Sequence, residues 1–407
     1  MKILQIGSHY DHGGAARVMA CIHRELLKKG ETSFVAYGRG KKVSEENVMR
    51  IDTTPEIYIS ALCSRIFGLN GWGNFLATDR LIRFMKKNRP DVVHMHTLHG
   101  YYLNMPRLFK YLNKEQIPWV WTFHDCHAFV GNCGYYYDCE KWKEGCGNCP
   151  YLGQYPTSQF FDFTSYMWKK KKELFTQSKK SVIITPSDWL TEEAKKSFVG
   201  IYPCKTIRNG IDVHNTFTPR GKEVCREKYG YDKEEKIVLG IAVGYSDPRK
   251  GAKYIIQMAK DLAKEVKVIL IGWDEKNNEL LQDTSNIITL PATESADMLA
   301  EYYSLADVFV LPSLAENYAT VTIESMACGT PVVGFMAGGI PEQLTDRKGI
   351  AVPTADQKAF NEAVRAAVLE DSDLLRGEAL AELIKKENSV EKMTTEYLKV
   401  YKELINE

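Results

Sequence analysis

The stretch "VFVLPSLAENYATVTIESMACGTPVVGF", residues 308–335, predicts a β-strand, an α-helix and a second β-strand. Both ends are short, continuously apolar runs, which are typical of strands buried on both faces of a sheet. Gly329 and Pro331 follow the helical segment, which is predicted to run from about residue 319 to residue 328. A strand, a helix and a returning strand are the repeating unit of a parallel sheet, so the stretch predicts an α/β fold.

The same alternation runs through the chain in two series. The first series contains KILQIG (2–7), DVVHMH (91–96), WVWTFH (119–124) and SVIITPS (181–187). The second contains KIVLGIAVG (236–244), VKVILIG (266–272), NIITL (286–290) and the opening stretch. Between them the segment 205–223 carries the turn-forming pair Asn209-Gly210, which indicates a linker.

Two doubly wound, Rossmann-like domains are therefore expected. We predict an N-terminal domain at 1–208 with a Cys-rich insertion at 126–150, a second domain at 209–388, and a C-terminal helix at 389–407 that packs back on the first domain. Ligands bind at the carboxyl ends of the strands in open α/β sheets. We expect the two domains to face each other across a cleft that holds the ligand.

Composition limits the partners and the compartment. The chain has 407 residues, 44% hydrophobic and 26% charged, which is typical of a soluble protein with more than one core. A net charge of +1 gives no general attraction to nucleic acid, so none is expected as a partner. No apolar run approaches the roughly 18 residues of a membrane span, and no export signal is recognisable. These features predict a cytoplasmic protein with reduced cysteines.

Two glutamates in the opening stretch lie eight positions apart. Glu316 precedes the predicted helix, and Glu324 lies about 7–8 Å along it. The first amides of the helix, at Asn317, Tyr318 and Ala319, form a site that attracts anions. A nucleotide diphosphate sugar fits this spacing, with the sugar at Glu316, the diphosphate at the helix start and the ribose diol at Glu324. The alternative is a pair of unrelated surface glutamates.

Two further loops carry candidate binding residues. "GYSDPRKG", residues 244–251, places Arg249 and Lys250 after a strand, where they could neutralise a departing diphosphate without a metal. Gly13-Gly14 lies between the first strand and its helix and would allow close approach of a phosphate or sugar. The alternatives are a solvated basic turn and a flexible turn. Neither a G-x-G-x-x-G fingerprint after the first strand nor a P-loop sequence is present.

With these motifs the chain resembles the retaining glycosyltransferases of glycosyltransferase family 4, which have the two-domain GT-B fold. The resemblance covers nearly the whole chain. Its motifs are the Gly-Gly loop, "HD" at 124–125, "RNGID" at 208–212, "PRKG" at 248–251, the two glutamates, and "ACGTPVVGFMAGGIPE" at 327–342.

The resemblance implies a role for each matching residue. Glu316 would contact the donor sugar and Glu324 the ribose, Arg249 and Lys250 would bind the diphosphate, and His124 would lie beside the transferred sugar. One departure concerns the sugar. Many members carry Phe-Gly after the first glutamate, whereas this chain has Asn317-Tyr318-Ala319, which puts the sugar preference in question.

Cys133, Cys139, Cys146 and Cys149 lie within 17 residues. Four thiolates at short spacing suit a structural zinc ion. Cys126, His124 and His127 are alternative ligands, and buried thiols or disulfides are the competing interpretation. The region resembles an insertion in family members that make bacterial surface polysaccharides, which implies a structural role as a lid on the acceptor side.

Two other segments suggest contacts with an acceptor or a membrane. "HMHTLHG" places His94, His96 and His99 at a strand end, where lining of an acceptor pocket is favoured, with simple packing as the next interpretation and a metal site as the last. "FFDFTSYMWKKKKELF", residues 160–175, joins aromatic residues to four lysines and could touch an anionic membrane surface. The alternative is a solvated helix face.

The sequence thus predicts a retaining, metal-independent, hexosyltransferase-type glycosyltransferase. It would move a sugar from a UDP- or GDP-type donor to a glycan or lipid-linked acceptor in bacterial surface polysaccharide biosynthesis, at the inner face of the membrane. No catalytic cofactor is expected, because the D-x-D pattern at Asp371 and Asp373 falls in a polar segment away from the other motifs. The alternatives are a nucleotide-sugar epimerase of the same fold and a non-catalytic, zinc-dependent interaction module.

Overall fold

The computed structural model describes residues 1–282, 284–293, 295–368 and 372–406. The chain forms two compact units, residues 1–208 with 393–407, and residues 209–392. Each unit is an α/β domain with one parallel sheet. Asp371 of the D-x-D pattern lies outside the described residues. In the described part of the chain, no helix has both the length and the apolar character needed to cross a bilayer.

The first unit contains a sheet of seven parallel strands in the order β3-β2-β1-β4-β5-β6-β7. The strands are β1 (Lys2–Gly7), β2 (Thr32–Tyr37), β3 (Val48–Arg50), β4 (Val92–Met95), β5 (Trp119–Thr122), β6 (Ser181–Thr185) and β7 (Cys204–Thr206). The helices before the linker are α1 (Gly14–Lys28), α2 (Thr54–Phe67), α3 (Phe75–Asn88), α4 (Met105–Glu115), α5 (Thr164–Phe175) and α6 (Asp188–Lys196).

The second unit contains a sheet of six parallel strands in the order β10-β9-β8-β11-β12-β13. The strands are β8 (Ile237–Ile241), β9 (Lys267–Ile271), β10 (Ile287–Leu290), β11 (Val308–Leu311), β12 (Val332–Phe335) and β13 (Gly349–Val352). The helices are α7 (Lys222–Tyr229), α8 (Ala252–Asp261), α9 (Ala296–Leu305), α10 (Thr320–Ala327), α11 (Ile340–Gln343), α12 (Gln357–Val368) and α13 (Gly377–Glu387).

The strand order fixes where a ligand can bind in each unit. In both sheets the first strand lies in the interior, and the chain leaves it towards one edge before returning on its other side. This reversal lies between β1 and β4 in the first unit and between β8 and β11 in the second. Loops after neighbouring strands diverge at such a point and leave a crevice at the carboxyl ends.

The last helix, α14 (Val390–Asn406), packs on the sheet of the first unit. Its hydroxyl groups reach polar side chains of two central strands. Tyr397 Oη lies 2.8 Å from Thr122 Oγ1, and Tyr401 Oη lies 2.7 Å from His94 Nδ1. These tyrosines are almost fully buried, so the hydrogen bonds satisfy polar groups that would otherwise be costly inside the core.

Candidate functional site

The loops that follow β8 and β11 are held together by a close backbone approach. Pro248–Lys250 forms a single 3₁₀ turn, and Gly251 then adopts φ +73°. A Cβ atom at Gly251 would lie 2.0 Å from the carbonyl oxygen of Pro312. The N–H of Leu314 donates to the carbonyl of Arg249 at 2.8 Å. The sequence "PRKG" therefore places two cations directly against the loop that carries Glu316.

Glu316, Arg249 and Lys250 form one cluster. Glu316 Oε2 lies 2.8 Å from Lys250 Nζ and 3.3 Å from Arg249 Nη1. Arg249 Nη1 also donates to the carbonyl of Ala315 at 2.8 Å. Burial opposes ionisation of Glu316, but Lys250 and Arg249 outweigh it and lower the pKa of the carboxyl below its usual 4.5. Residues of two separate sequence motifs thus form one charged cluster.

The two cations are already paired with acids in this structure. Besides Glu316, which both cations contact, Asp247 Oδ2 lies 3.3 Å from Arg249 Nε. A diphosphate would become the stronger partner of Arg249 and Lys250, since it brings two or more charges at once. Glu316 would then be released to accept hydrogen bonds from other donors.

Glu324 lies inside the second unit and is 2% exposed. It accepts a hydrogen bond from the hydroxyl of Tyr303 at 3.1 Å. Tyr303 lies on α9, and no sequence motif points to it. A buried carboxylate on α10 with one side chain already donating to it still has acceptor capacity for further hydroxyl groups.

The bounds of α10 agree with the predicted helix within one residue at each end. The helix begins at Thr320, and Ala319 is its N-cap. The N–H of Ala319 donates to Gln343 Oε1 at 3.0 Å, and Gln343 Nε2 donates back to the carbonyl of Ala319 at 3.0 Å. The amide of Ala319, expected to face an anion, is therefore engaged by Gln343. Sequence reasoning missed Gln343 because α11, which carries it, is only four residues long.

Asn317 and Tyr318 hold the loop before α10. The N–H of Asn317 donates to the carboxylate of Glu316. The carbonyl of Tyr318 accepts from Asn209 Nδ2 at 3.3 Å, and its hydroxyl accepts from Asn388 Nδ2 at 3.1 Å. Tyr318 is thus fixed by two asparagines near the ends of the second unit.

In the first unit, Gly13 is the N-cap of α1 and has φ +83°. A Cβ atom there would meet nothing within 4 Å, so the backbone conformation, rather than space, favours glycine. Gly14 is exposed at the first position of the helix. Both interpretations of this pair, a ligand contact and a turn, remain compatible with the loop.

His124 lies two residues beyond β5 and lines a cavity with His96, His99 and Asp125. Its Nε2 atom lies 3.1 Å from His96 Nδ1. Burial lowers the pKa of His124 to about 4, so the ring is neutral at physiological pH. His99 Nε2 lies 2.7 Å from Asp125 Oδ2, which makes a second polar pair in the same cavity.

The three histidines of "HMHTLHG" have different environments. His96 and His99 line this cavity. His94 is fully buried and is held between Thr122 Oγ1 at 2.8 Å and the hydroxyl of Tyr401 at 2.7 Å. Two of the three therefore line a cavity, and the third packs in the core.

The Cys-rich insertion surrounds a separate pocket. Residues lining it include Cys133, Cys139, Cys146 and Cys149, all as free thiols. Burial raises the pKa of Cys133 to about 12 and that of Cys146 to about 11, so both are protonated at neutral pH. In the part of the chain that the structure describes, no three His, Cys, Asp or Glu side chains are grouped so that they could hold a metal ion. The zinc prediction rests on the spacing alone.

Lys171 belongs to the four-lysine run but lies in the core. It is 0% exposed, and its Nζ atom donates to the carbonyls of His127 at 2.6 Å and Val130 at 2.9 Å. Burial lowers its pKa to about 7. This lysine anchors the start of the insertion to α5, so the run is not a uniformly solvated or membrane-facing row.

The two parallel-sheet domains have the GT-B fold. Sucrose-phosphate synthase from Thermosynechococcus elongatus has a TM-score of 0.73 at 18% identity, covering 100% of this chain and 99% of its own. Anabaena Alr3699/HepE, solved in complex with UDP-glucose, has a TM-score of 0.67 at 14% identity, covering 99% of this chain and 100% of its own.

Sequence comparisons identify the family. A model described as Glycosyltransferase Family 4 matches residues 12–215, and one described as Glycosyl transferases group 1 matches residues 221–388. A protein named for colanic acid biosynthesis, the glycosyl transferase WcaC of Escherichia coli K12, is 27% identical over 99% of this chain and 100% of its own length. The chain belongs to glycosyltransferase family 4.

The close approach at Gly251 gives a direct test of the site's construction. We expect Gly251→Ala to destabilise the turn by about 1–3 kcal/mol, because alanine disfavours this backbone conformation and its Cβ would meet the carbonyl of Pro312. Gly244→Ala, in the same loop but with nothing within 4 Å of the added atom, is the matched control. Thermal unfolding of both variants measures the difference. Equal stability of the two variants would contradict the described packing.

Proposed function

We propose that the protein is a retaining glycosyltransferase that uses a nucleotide-diphosphate sugar and a glycan or lipid-linked acceptor. The observation that carries the proposal is the cluster of Arg249, Lys250 and Glu316 beside the start of α10, with Glu324 further along the helix. Full-length similarity to a protein named for colanic acid biosynthesis favours a role in bacterial surface polysaccharide assembly. Membership of the family supports the proposal that the configuration is retained.

The donor is proposed to bind across α10. Its diphosphate takes Arg249 and Lys250 as partners, which frees the carboxylate of Glu316 for hydroxyl groups of the sugar. The buried carboxylate of Glu324 accepts from the ribose diol. A uridine nucleotide is favoured, since the Anabaena neighbour is described in complex with UDP-glucose, and guanosine is the alternative.

Negative charge develops on the departing diphosphate during the reaction, and the protein must stabilise it. The bond between the anomeric carbon and the diphosphate oxygen breaks, a bond to the acceptor oxygen forms, and the acceptor's proton passes to the leaving diphosphate. Arg249 and Lys250 neutralise the charge that develops on the diphosphate. The positive charges of Arg249 and Lys250 take the place of a bound magnesium ion at the diphosphate, so we propose metal-independent transfer.

The two glutamates are expected to fail in different ways. Glu324→Ala should weaken binding of the free nucleoside diphosphate and of the sugar donor alike, by about 1.5–3 kcal/mol, because both ligands carry the ribose. Glu316→Ala should weaken mainly the sugar donor. Titration calorimetry with UDP and with a UDP-sugar measures both effects.

Glu362→Ala is the control for this comparison, because Glu362 is an exposed glutamate on α12 of the same unit. It should leave both affinities unchanged. Equal losses for both ligands in both site variants would contradict the separate roles, and no binding of any nucleotide by the native protein would contradict the proposed function.

Transfer is expected to continue in the presence of EDTA. Activity that EDTA removes and magnesium or manganese restores would contradict metal-independent transfer.

The spacing of Cys133, Cys139, Cys146 and Cys149 predicts one zinc ion per chain. Elemental analysis of untreated protein measures the zinc content. Absence of zinc, with four titratable thiols, would leave these cysteines as packing residues.

Helix α2 supports the proposal of contact with a membrane. Its buried side chains are Ser60 and Ser64, while four large apolar side chains are exposed. These are Tyr58 at 71%, Ile59 at 64%, Leu62 at 61% and Phe67 at 44%. A helix of a soluble domain normally buries its apolar face and exposes its hydroxyl groups. The reversed arrangement indicates that something apolar covers α2.

The aromatic segment before α5 extends the same surface. Phe67 stacks on Phe161 with ring centroids 5.9 Å apart, and Phe161 stacks on Phe163 at 5.9 Å. Exposed cations lie within a few residues of these rings in the chain, namely Arg65, Lys169 and Lys172. The acid in this segment, Asp162, is engaged by backbone N–H groups of Cys149 and Thr164. Apolar side chains with cations beside them suit the inner, anionic face of a bilayer.

We expect the protein to sediment with vesicles that contain phosphatidylglycerol and to bind neutral phosphatidylcholine vesicles less. Leu62→Ser combined with Phe161→Ser should reduce binding at least tenfold, because both side chains would insert at the interface. Val224→Ser, an equally exposed apolar position on α7, is the control. The same binding by the double variant and the control would contradict a membrane role for this surface.

A further inference from the structure

A continuous chain of buried polar groups crosses the first unit and ends at His124. It starts at the carbonyl of Glu46 and passes through His23, Ser33, Gln5 and His96. His23 Nε2 lies 3.2 Å from the carbonyl oxygen of Glu46, and His23 Nδ1 lies 2.8 Å from Ser33 Oγ. Gln5 bridges the next two residues, with its Nε2 atom 3.5 Å from Ser33 Oγ and its Oε1 atom 3.2 Å from His96 Nε2. His96 Nδ1 lies 3.1 Å from His124 Nε2.

The direction of the chain follows from its fixed end. A backbone carbonyl can only accept, so His23 Nε2 must carry a proton. Burial lowers the pKa of His23, so the ring is neutral and its Nδ1 atom can only accept. Ser33 therefore donates its proton to His23. With that proton used, Ser33 Oγ accepts from the amide nitrogen of Gln5.

The orientation of Gln5 then sets the tautomers of both following histidines. Its amide oxygen faces His96 Nε2, which must therefore carry the proton of that ring. Burial keeps His96 neutral by lowering its pKa well below 6.5, so its Nδ1 atom accepts. The proton between the two rings consequently belongs to Nε2 of His124. The two rings are nearly parallel, with an angle of 14° between their planes and centroids 5.4 Å apart.

We propose that Gln5 and His96 are positioning residues that hold His124 in the Nε2–H tautomer, so that its Nδ1 atom faces the substrate as a hydrogen-bond acceptor. The proposal rests on the proposed function and adds to it the chemistry of one contact. His124 lines the cavity at the end of β5, and among the described residues its Nδ1 atom has no hydrogen-bond partner.

The charges around His124 keep this state across the physiological range. Asp125 favours protonation of the ring and His99 opposes it, while burial outweighs both and lowers the pKa of His124 to about 4. His94, which lies against His96 with ring centroids 4.1 Å apart, is also neutral because burial lowers its pKa. A neutral acceptor binds a sugar hydroxyl and disfavours a phosphate or carboxylate, which could offer it only further lone pairs.

The tautomer can be measured without any substrate. In protein labelled with ¹⁵N-histidine, long-range ¹H–¹⁵N correlation spectra at pH 7 distinguish a protonated from an unprotonated ring nitrogen. His124→Gln identifies the signals of His124 by their loss. We expect a protonated Nε2 and an unprotonated Nδ1 in the native protein. A protonated Nδ1, or a mixture of tautomers, would overturn the proposal.

Two variants test whether the chain sets this state. Gln5→Leu removes the acceptor of His96, and Ser33→Ala leaves the Gln5 amide free to turn around. Both should give mixed tautomers at His124. Thr122→Val removes a hydrogen-bond partner of His94 without removing any group of the chain. The signals of His94 should shift, and those of His124 should stay as in the native protein. A single Nε2–H tautomer in both chain variants would overturn the role of Gln5.

Kinetics separate this inference from the proposed function. Gln5→Leu is expected to lower kcat about tenfold while KM for the donor changes less than about twofold, because the donor's nucleotide contacts are untouched. A merely structural role would also lower the unfolding temperature and would affect Ser33→Ala and Thr122→Val equally. If no sugar donor is turned over, the proposed function fails, while the spectra still decide the tautomer.

Discussion

The contact between the loops after β8 and β11 is the interaction on which the candidate donor site depends. Gly251 lets the backbone pass against Pro312, and that passage brings Lys250 within 2.8 Å of Glu316. A buried carboxylate without this partner would cost several kcal/mol or take up a proton. The glycine, the two cations and the glutamate therefore form one structural unit, although Gly251 and Glu316 are 65 positions apart in the chain.

The sequence predicts most of the central strands and the edge strand β10, but misses β2 in the interior of the first sheet and the edge strands β3, β7 and β13. Central strands such as Val308–Leu311 are buried on both faces, so they appear as continuous apolar runs that periodicity detects. Edge strands such as Val48–Arg50 and Cys204–Thr206 are three residues long and contain charged side chains. They pair on one side and are partly solvated, so their sequences resemble loops. Their existence follows from the sheet rather than from local sequence.

The same limit applies to the site. Motifs identify Glu316 and Glu324 because their spacing and helix context have a chemical meaning. The partners that hold the loop, Tyr303 and Gln343, come from other elements and have no pattern of their own. Lys171 shows the opposite error, because a charge run predicts solvent exposure, whereas one lysine of the run satisfies two buried carbonyls. Such pairings join residues that lie far apart in the chain, so no local sequence pattern predicts them.

The candidate site residues at the strand ends are charged in the second unit, whereas His96 and His124 are neutral in the first. In the second unit, charges are kept by pairing, so Arg249 and Lys250 hold Glu316 ionised despite its burial. In the first unit, burial keeps His96 and His124 neutral. These rings can therefore distinguish ligands by the direction of their hydrogen bonds but not by charge. Paired charges can be exchanged for those of a diphosphate at little cost in desolvation, since the partners already lie in place. Neutral rings in a directed chain suit a sugar hydroxyl, for which a fixed acceptor matters more than a charge.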